Sequence, residues 1–215
     1  MKNSMIEYRV ERRKKRGISI EITHKGEVVV RAPMRATNSE IRSFVESKIE
    51  WINKHLQQRQ KKIQALGEAY SETPLTKAEL EALKEKANAI LPDKVVGWAS
   101  AVFDTTPEEV QLSLFDKPKS DKPPGLDKIR RITIRRQKTV WGSYNASGDI
   151  SLNVILMLLP TEIQDYVIVH ELCHALHMNH SKEFWGEVAR VLPDYKMRRK
   201  WLKDFGPLYL SRLPY

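Results

Sequence analysis

The stretch Val169-His170-Glu171-Leu172-Cys173-His174-Ala175-Leu176-His177-Met178-Asn179-His180 decides how this chain reads. It holds H-E-x-x-H and then a further histidine ten residues after the first. On a helix, residues four apart stack on one face about 6 Å from one another, so two imidazoles spaced this way can share one metal ion at ~2.1 Å each. Glu171 falls about 100° round the helix from His170. It is free to stand beside the ion as a base for bound water rather than as a ligand. With 6 His and 18 Glu in 215 residues, the pattern arises by chance in roughly one such chain in a hundred. The competing reading is a helix with unrelated surface or core histidines. Two features oppose it: four of the six histidines fall between 170 and 180, and the context is helical. Pro160-Thr161 opens the segment, Glu162 and Asp165 sit in the first turn, and Ile163, Val167 and Leu172 mark an apolar side.

The third ligand has several candidates. His177 shares the helical face, but a straight helix separates it from His170 by about 10 Å along the axis. His180 lies beyond Met178-Asn179, and Asn tolerates the left-handed turn that ends a helix. Such a turn would swing His180 back towards the metal, so His180 is preferred. Glu183, Glu187 and His177 stay open as alternatives. Cys173 points away from the His170/His174 face and reads as a packing residue.

Working outward, the chain has 215 residues, which suits one domain or one domain with a small extension. No run of eighteen apolar residues exists, so no membrane partner is expected. Met1-Lys2-Asn3-Ser4-Met5 leads into charged alternation without an apolar signal region, and a lone cysteine suits a reducing compartment. Both argue for a cytoplasmic protein. The net charge of +10 and pI near 9.6 make DNA or another polyanion a candidate partner. The densest cationic stretch, Arg12-Arg13-Lys14-Lys15-Arg16, reads either as a phosphate contact through Arg12, Arg13 and Lys14 or as a solvated tip that blunts a sheet edge. The second reading is preferred.

Residues 5–32 alternate as β structure, with a hairpin turn at His24-Lys25-Gly26-Glu27. Residues 38–66 read as one helix capped by Ser39, with Trp51 among its core residues. Residues 76–103 read as a helix broken near Pro92. Residues 104–127, rich in proline, read as an inserted loop with a short strand at 110–115. Strands follow at 129–136 and 150–156, with Trp141-Gly142-Ser143-Tyr144 between them. The second strand is expected to form the wall along which an extended peptide docks. A short helix begins after Ser181, and Phe184, Trp185 and Val188 are expected to pack on the metal helix and hold the His180 loop. A last basic helix ends near Leu202, and the tail from Pro207 has no readable role. The expected organisation is 1–103 as N-terminal hairpin and helices, 104–127 as insertion and 128–215 as catalytic portion.

With these residues in hand, the chain resembles the YgjP-type zinc metallopeptidases, relatives of the SprT-like and Wss1-like proteases. The resemblance rests on Arg31-Ala32-Pro33, Lys48 with Trp51-Ile52, Lys138 to Ser143, Ile150 to Asn153, Asp165 to His174, Asn179-His180-Ser181 with Phe184-Trp185, and Pro193-Asp194-Tyr195. It implies an α+β, zincin-like fold, one Zn2+ per chain on His170, His174 and His180, and Glu171 as general base acting on a protein or peptide substrate. Two departures stand out. Tyr144 occupies the place where the family's W-G-S stretch usually continues with cysteine, and 104–127 looks inserted. The H-x3-H-x5-H spacing equals that of metzincins, but His177 occupies their glycine position. Tyr195 and Tyr144 are the candidates for stabilising an oxyanion. Two other functions compete: a metal-dependent hydrolase of a non-peptide substrate, and a basic nucleic-acid-binding or adaptor domain with a structural zinc.

Overall fold

The computed structural model describes residues 6–23, 25–105 and 129–214. It is α+β, and contacts divide it into two units, Met1–Thr73 and Pro74–Tyr215. The helix Lys77–Phe103, read from sequence with the N-terminal portion, belongs to the second unit. The expected strand at 110–115 and most of the 104–127 insertion lie outside the described residues. No helix among the described residues is long and apolar enough to cross a membrane.

In the first unit, strands β1 (Tyr8–Arg13), β2 (Ser19–Ile22) and β3 (Val28–Pro33) form a sheet in the order β1-β3-β2. β2 and β3 are an antiparallel hairpin, while β1 runs parallel to β3 on its other edge. Gly26 closes the hairpin at φ 84°, a conformation that only glycine adopts freely. The central strand is apolar on both faces. Val28, Val30 and Ala32 pack against Ile41, Val45 and Ile52 of helices α1 (Asn38–Ser47) and α2 (Ile49–Leu66). Beside buried Val29 on the other face, Glu11 pairs with Arg9, Arg13 and Arg31, and Arg31 pairs with Glu21.

The helical segment differs from its expected form in three ways. Its cap is Thr37, not Ser39: the Thr37 hydroxyl accepts from Glu40 N at 3.2 Å, and Glu40 accepts from Thr37 N at 2.6 Å. The helix breaks at Lys48, where the Ser47 hydroxyl donates to the Phe44 carbonyl at 2.7 Å and competes with the helical ladder. Trp51 is 41% exposed, because Ile52 takes the core-facing position and Trp51 turns aside to stack on His55.

In the second unit, α3 (Lys77–Phe103) starts from a capping box of Thr76 and Glu79 and runs unbroken through Pro92. Proline inside a helix costs about 3 kcal/mol. Leu80, Ala87, Leu91, Val95, Ala99 and Val102 lie buried along this helix, and their burial at roughly 1.5–3 kcal/mol per large side chain outweighs that cost. Strands β4 (Arg131–Arg135), β5 (Gly142–Tyr144) and β6 (Asp149–Asn153) form a sheet in the order β4-β6-β5, with β4 parallel and β5 antiparallel to β6. β6 stops earlier than expected. The Asn153 side chain accepts from Ile155 N and donates to the carbonyls of Gln137 and Val140, turning the chain into a 3-10 segment over Val154–Leu158. β6 is paired on both edges, so it cannot be the wall that receives a peptide. The edge next to the H-E-x-x-H helix is β5.

That helix, α4 (Thr161–Cys173), packs on α3, β5, β6 and the two following helices, α5 (Lys182–Val191) and α6 (Tyr195–Leu210). Lys94 of α3 holds Asp165 of α4 at 2.8 Å. α6 continues through Pro207, beyond the expected end at Leu202. The tail completes the core of this unit. Leu208, Tyr209 and Leu213 are buried, and Leu75 N donates to the Arg212 carbonyl.

Candidate metal centre

α4 carries His170 and Glu171 in its last turn and ends at Cys173, with His174 as its C-cap. The chain then tightens through bonds from Ala175 N to Leu172 O and from Leu176 N to Cys173 O. This turn returns the backbone without the left-handed residue expected at Asn179. Among the described residues only Asp104 is a non-glycine with positive φ. The result brings His170, His174 and His180 together, with their nearest ring nitrogens all within 4.8 Å of one another. His170 Nε2 and His180 Nε2 are 3.0 Å apart. Two nitrogens bound tetrahedrally to one ion at ~2.1 Å would stand about 3.4 Å apart, so the three rings fit a metal with little movement.

The protonation states fit as well. Burial, reinforced by its two neighbouring imidazoles, pushes His170 down to about 3, and burial also lowers His174. Both are neutral at physiological pH, with lone pairs available. His174 Nδ1 lies 3.1 Å from the His177 carbonyl, which can only accept. The proton therefore sits on Nδ1 and Nε2 is left for a metal. His170 Nδ1 is buried and has no hydrogen-bond partner among the described residues.

A single side chain forms the floor. Phe184 is fully buried, and its ring centre lies 5.0, 4.6 and 4.8 Å from those of His170, His174 and His180. Ser181 caps α5 by accepting from Phe184 N, which sets that ring in place. Beside it, Trp185 stacks on exposed His180 at 25° and on Tyr195 at 16°.

Glu171 is buried against β5. A Cβ on Gly142 would lie 2.8 Å from Glu171 Cγ and 2.9 Å from Oε1, so only glycine leaves room for this carboxyl. Burial pushes its pKa up to about 8, opposed by a hydrogen bond from the backbone N–H of Tyr144. Trp141 anchors the same strand at its other side, with its ring against Gly206 of α6.

A family model described as YgjP-like, metallopeptidase domain, matches residues 16–76 and 124–205. The chain belongs to the YgjP-like metallopeptidase family. The unmatched stretch 77–123 contains α3. No curated protein and no solved structure matches the chain. Membership of the YgjP-like family makes this a metal-dependent hydrolase of metallopeptidase type, and its histidine cluster is compatible with zinc.

The other candidates separate clearly. His177 contributes its carbonyl, Glu187 pairs with Arg190 at 2.8 Å, and the Ser181 hydroxyl holds Glu183 below the usual carboxylate range. None of the three joins the cluster. Cys173 is fully buried, as a packing residue should be. Tyr144 contributes its backbone to Glu171, and Tyr195 stands behind Trp185. In the first unit, Arg12 donates to the carbonyls of Met34 and Ala36 and to Asn38, and Arg13 pairs with Glu11, which leaves Lys14 without a partner among the described residues. Tyr166 and Arg199 escaped the sequence reading. Tyr166 is buried 5.9 Å from the His170 ring, with burial raising its phenol to about 12. Its position four residues before His170, on the same helix face, was the available signal.

Proposed function

We propose that this YgjP-like protein is a zincin-like zinc metallopeptidase that cuts an extended peptide laid along β5. The observation that carries the reading is one arrangement: three imidazoles converging on a point, with the buried Glu171 carboxyl one residue from the first of them. Among the described residues no fourth His, Cys, Asp or Glu joins the three, which suits an open catalytic position rather than a four-ligand structural site. His170, His174 and His180 would hold the ion. Zinc, when bound, supplies a Lewis acid and lowers the pKa of coordinated water to about 7. Glu171 takes a proton from the attacking water and returns it to the leaving amine. The burial that raises Glu171 acts in the metal-free chain; a cation on the three histidines would favour the carboxylate form that accepts the proton. Gly142 and the Tyr144 N–H hold that carboxyl in place. Among the described residues β5 pairs with β6 alone, and its other edge, beside Glu171, is the one we assign to main-chain pairing with substrate.

The test is elemental analysis together with peptide cleavage. The wild type should carry about one zinc per chain, and His180→Ala much less. Glu171→Gln should keep the zinc and lose cleavage by about 10²–10⁴-fold. Cleavage by Glu171→Gln at the wild-type rate would overturn the mechanism.

A further inference from the structure

Helix α6 opens with the basic run Lys196-Met197-Arg198-Arg199-Lys200, and its cations are unequally engaged. Arg198 Nε lies 2.9 Å from both carboxylate oxygens of Asp194, and Nη1 donates to the Glu162 carbonyl. Lys200 reaches Asp204 at 2.9 Å. Arg199 has no carboxylate or carbonyl partner among the described residues. Its contact is the face of Trp185, 4.5 Å from the guanidinium carbon. Trp185 stacks on His180 at 5.6 Å and lies 5.7 Å from the His170 ring. The guanidinium therefore stands no more than about 10 Å from either imidazole, inside the Debye length of about 10 Å at 0.1 M salt.

An arginine on an open helix surface samples many rotamers. This one lies against an aromatic face that is itself fixed by His180 on one contact and Tyr195 on another. The face contact leaves the N–H groups along the edge of the fork unoccupied. A planar fork resting on an aromatic face beside a hydrolytic centre matches the two oxygens of a carboxylate, and a lysine ammonium would supply the charge without the fork.

We infer that Arg199 is a substrate-binding residue that receives a carboxylate, from a chain terminus or an acidic side chain, close to the peptide bond that is cut. An extended chain covers about 10 Å in roughly three residues, which sets the distance between that carboxylate and the bond. The peptide nature of the ligand rests on the proposed peptidase function; the anion site itself does not.

The test uses the full chain without metal, so that a carboxylate cannot bind the ion instead. N-acetylglycine and its neutral amide are titrated separately, and tryptophan emission is read, to which Trp185 beneath the guanidinium contributes. The acid should bind at least tenfold more tightly than the amide, with a preference that weakens as salt is raised. Arg199→Gln should abolish the preference and Arg199→Lys should retain part of it, both with unchanged zinc content on reloading. Equal binding of acid and amide by the wild type, or a preference that survives Arg199→Gln, overturns the inference. A response to inorganic phosphate with none to N-acetylglycine overturns the carboxylate assignment. A zinc-loaded chain that shows the preference but cuts no peptide removes the peptidase reading and leaves the anion site standing.

Discussion

Replacing Gly142 by alanine should disable the Glu171 carboxyl without touching any histidine. The new Cβ would stand 2.8 Å from Glu171 Cγ, 2.9 Å from Oε1 and 3.1 Å from Cδ. Contacts below 3.0 Å force something to move, and β5 cannot retreat easily. It is paired to β6 through Gly142, Ser143 and Tyr144, and Trp141 is wedged against Gly206. The carboxyl must move instead, by something near 1 Å, and lose its hydrogen bond from Tyr144 N. A displacement of that size in a catalytic group costs about 10²-fold in rate, and overpacking a buried site costs about 1–3 kcal/mol in stability. The assay is kcat/KM on a peptide substrate, alongside zinc content and thermal unfolding. Activity should fall about 10²-fold, with zinc content unchanged. Gly186→Ala is the control: beyond its chain neighbours and its own helix backbone no atom lies within 4 Å of its Cβ position, and the helix should gain about 0.5–1 kcal/mol. A Gly142→Ala protein with wild-type rate and unfolding temperature would refute the assignment of Gly142 as the residue that makes room for Glu171.

Two further outcomes follow from the site. In the metal-free chain the folded-state pKa of Glu171 is raised from 4.5 to about 8, so between those values the folded chain holds a proton that the unfolded chain has released. Its contribution is full below 4.5 and is lost as pH rises through about 8. His170, lowered from 6.5 to about 3, acts oppositely and is lost as pH falls from 6.5 towards 3. Above about pH 7 Glu171 dominates, because the opposing histidine contributions, from His170 and His174, are then nearly complete, so chemical denaturation should show the metal-free chain losing about 1 kcal/mol between pH 7 and 8. Glu171→Gln should abolish that loss, and a flat alkaline limb in the wild type would contradict the burial argument. Trp185→Ala should remove the stacked support of His180 and weaken zinc affinity by about 10–100-fold, the range for lost outer-shell contacts. Trp185→Phe should restore most of it, and equal zinc affinity in the alanine variant would show that His180 needs no such support.

The centre was legible because its signal is local. His170, Glu171 and His174 lie within five residues, and helix geometry alone places them. Ser181 as a cap and Gly26 in a hairpin were legible for the same reason. What escaped depends on tertiary partners. Pro92 looks like a break until the buried face of α3 is known to outweigh one lost hydrogen bond. Trp51 looks like core until Ile52 is seen to occupy the inward position. The strand running past Asn153 was cut short by side-chain bonds to Gln137 and Val140, which no periodicity reveals. The return of His180 was expected from a left-handed Asn179, whereas a tightened helix end achieves it. Arg199 stood out in no pattern, since its neighbours are equally basic; its place on the face of Trp185 sets it apart.

Both sheets share one topology: the first strand parallel to the third, the second antiparallel, and the third in the middle. This has a kinetic consequence. The hairpins β2–β3 and β5–β6 join neighbours in sequence and can close in about 1–10 μs. β1 and β4 must instead pair with residues 20 and 18 positions further along the chain to find the far edge, and that closure entropy is offset only once the hairpin exists to receive them. Amide exchange should show β3 and β6 as the slowest strands to open, with β1 and β4 released before the hairpins beside them. In each sheet, the strand made first at the ribosome is the last to join.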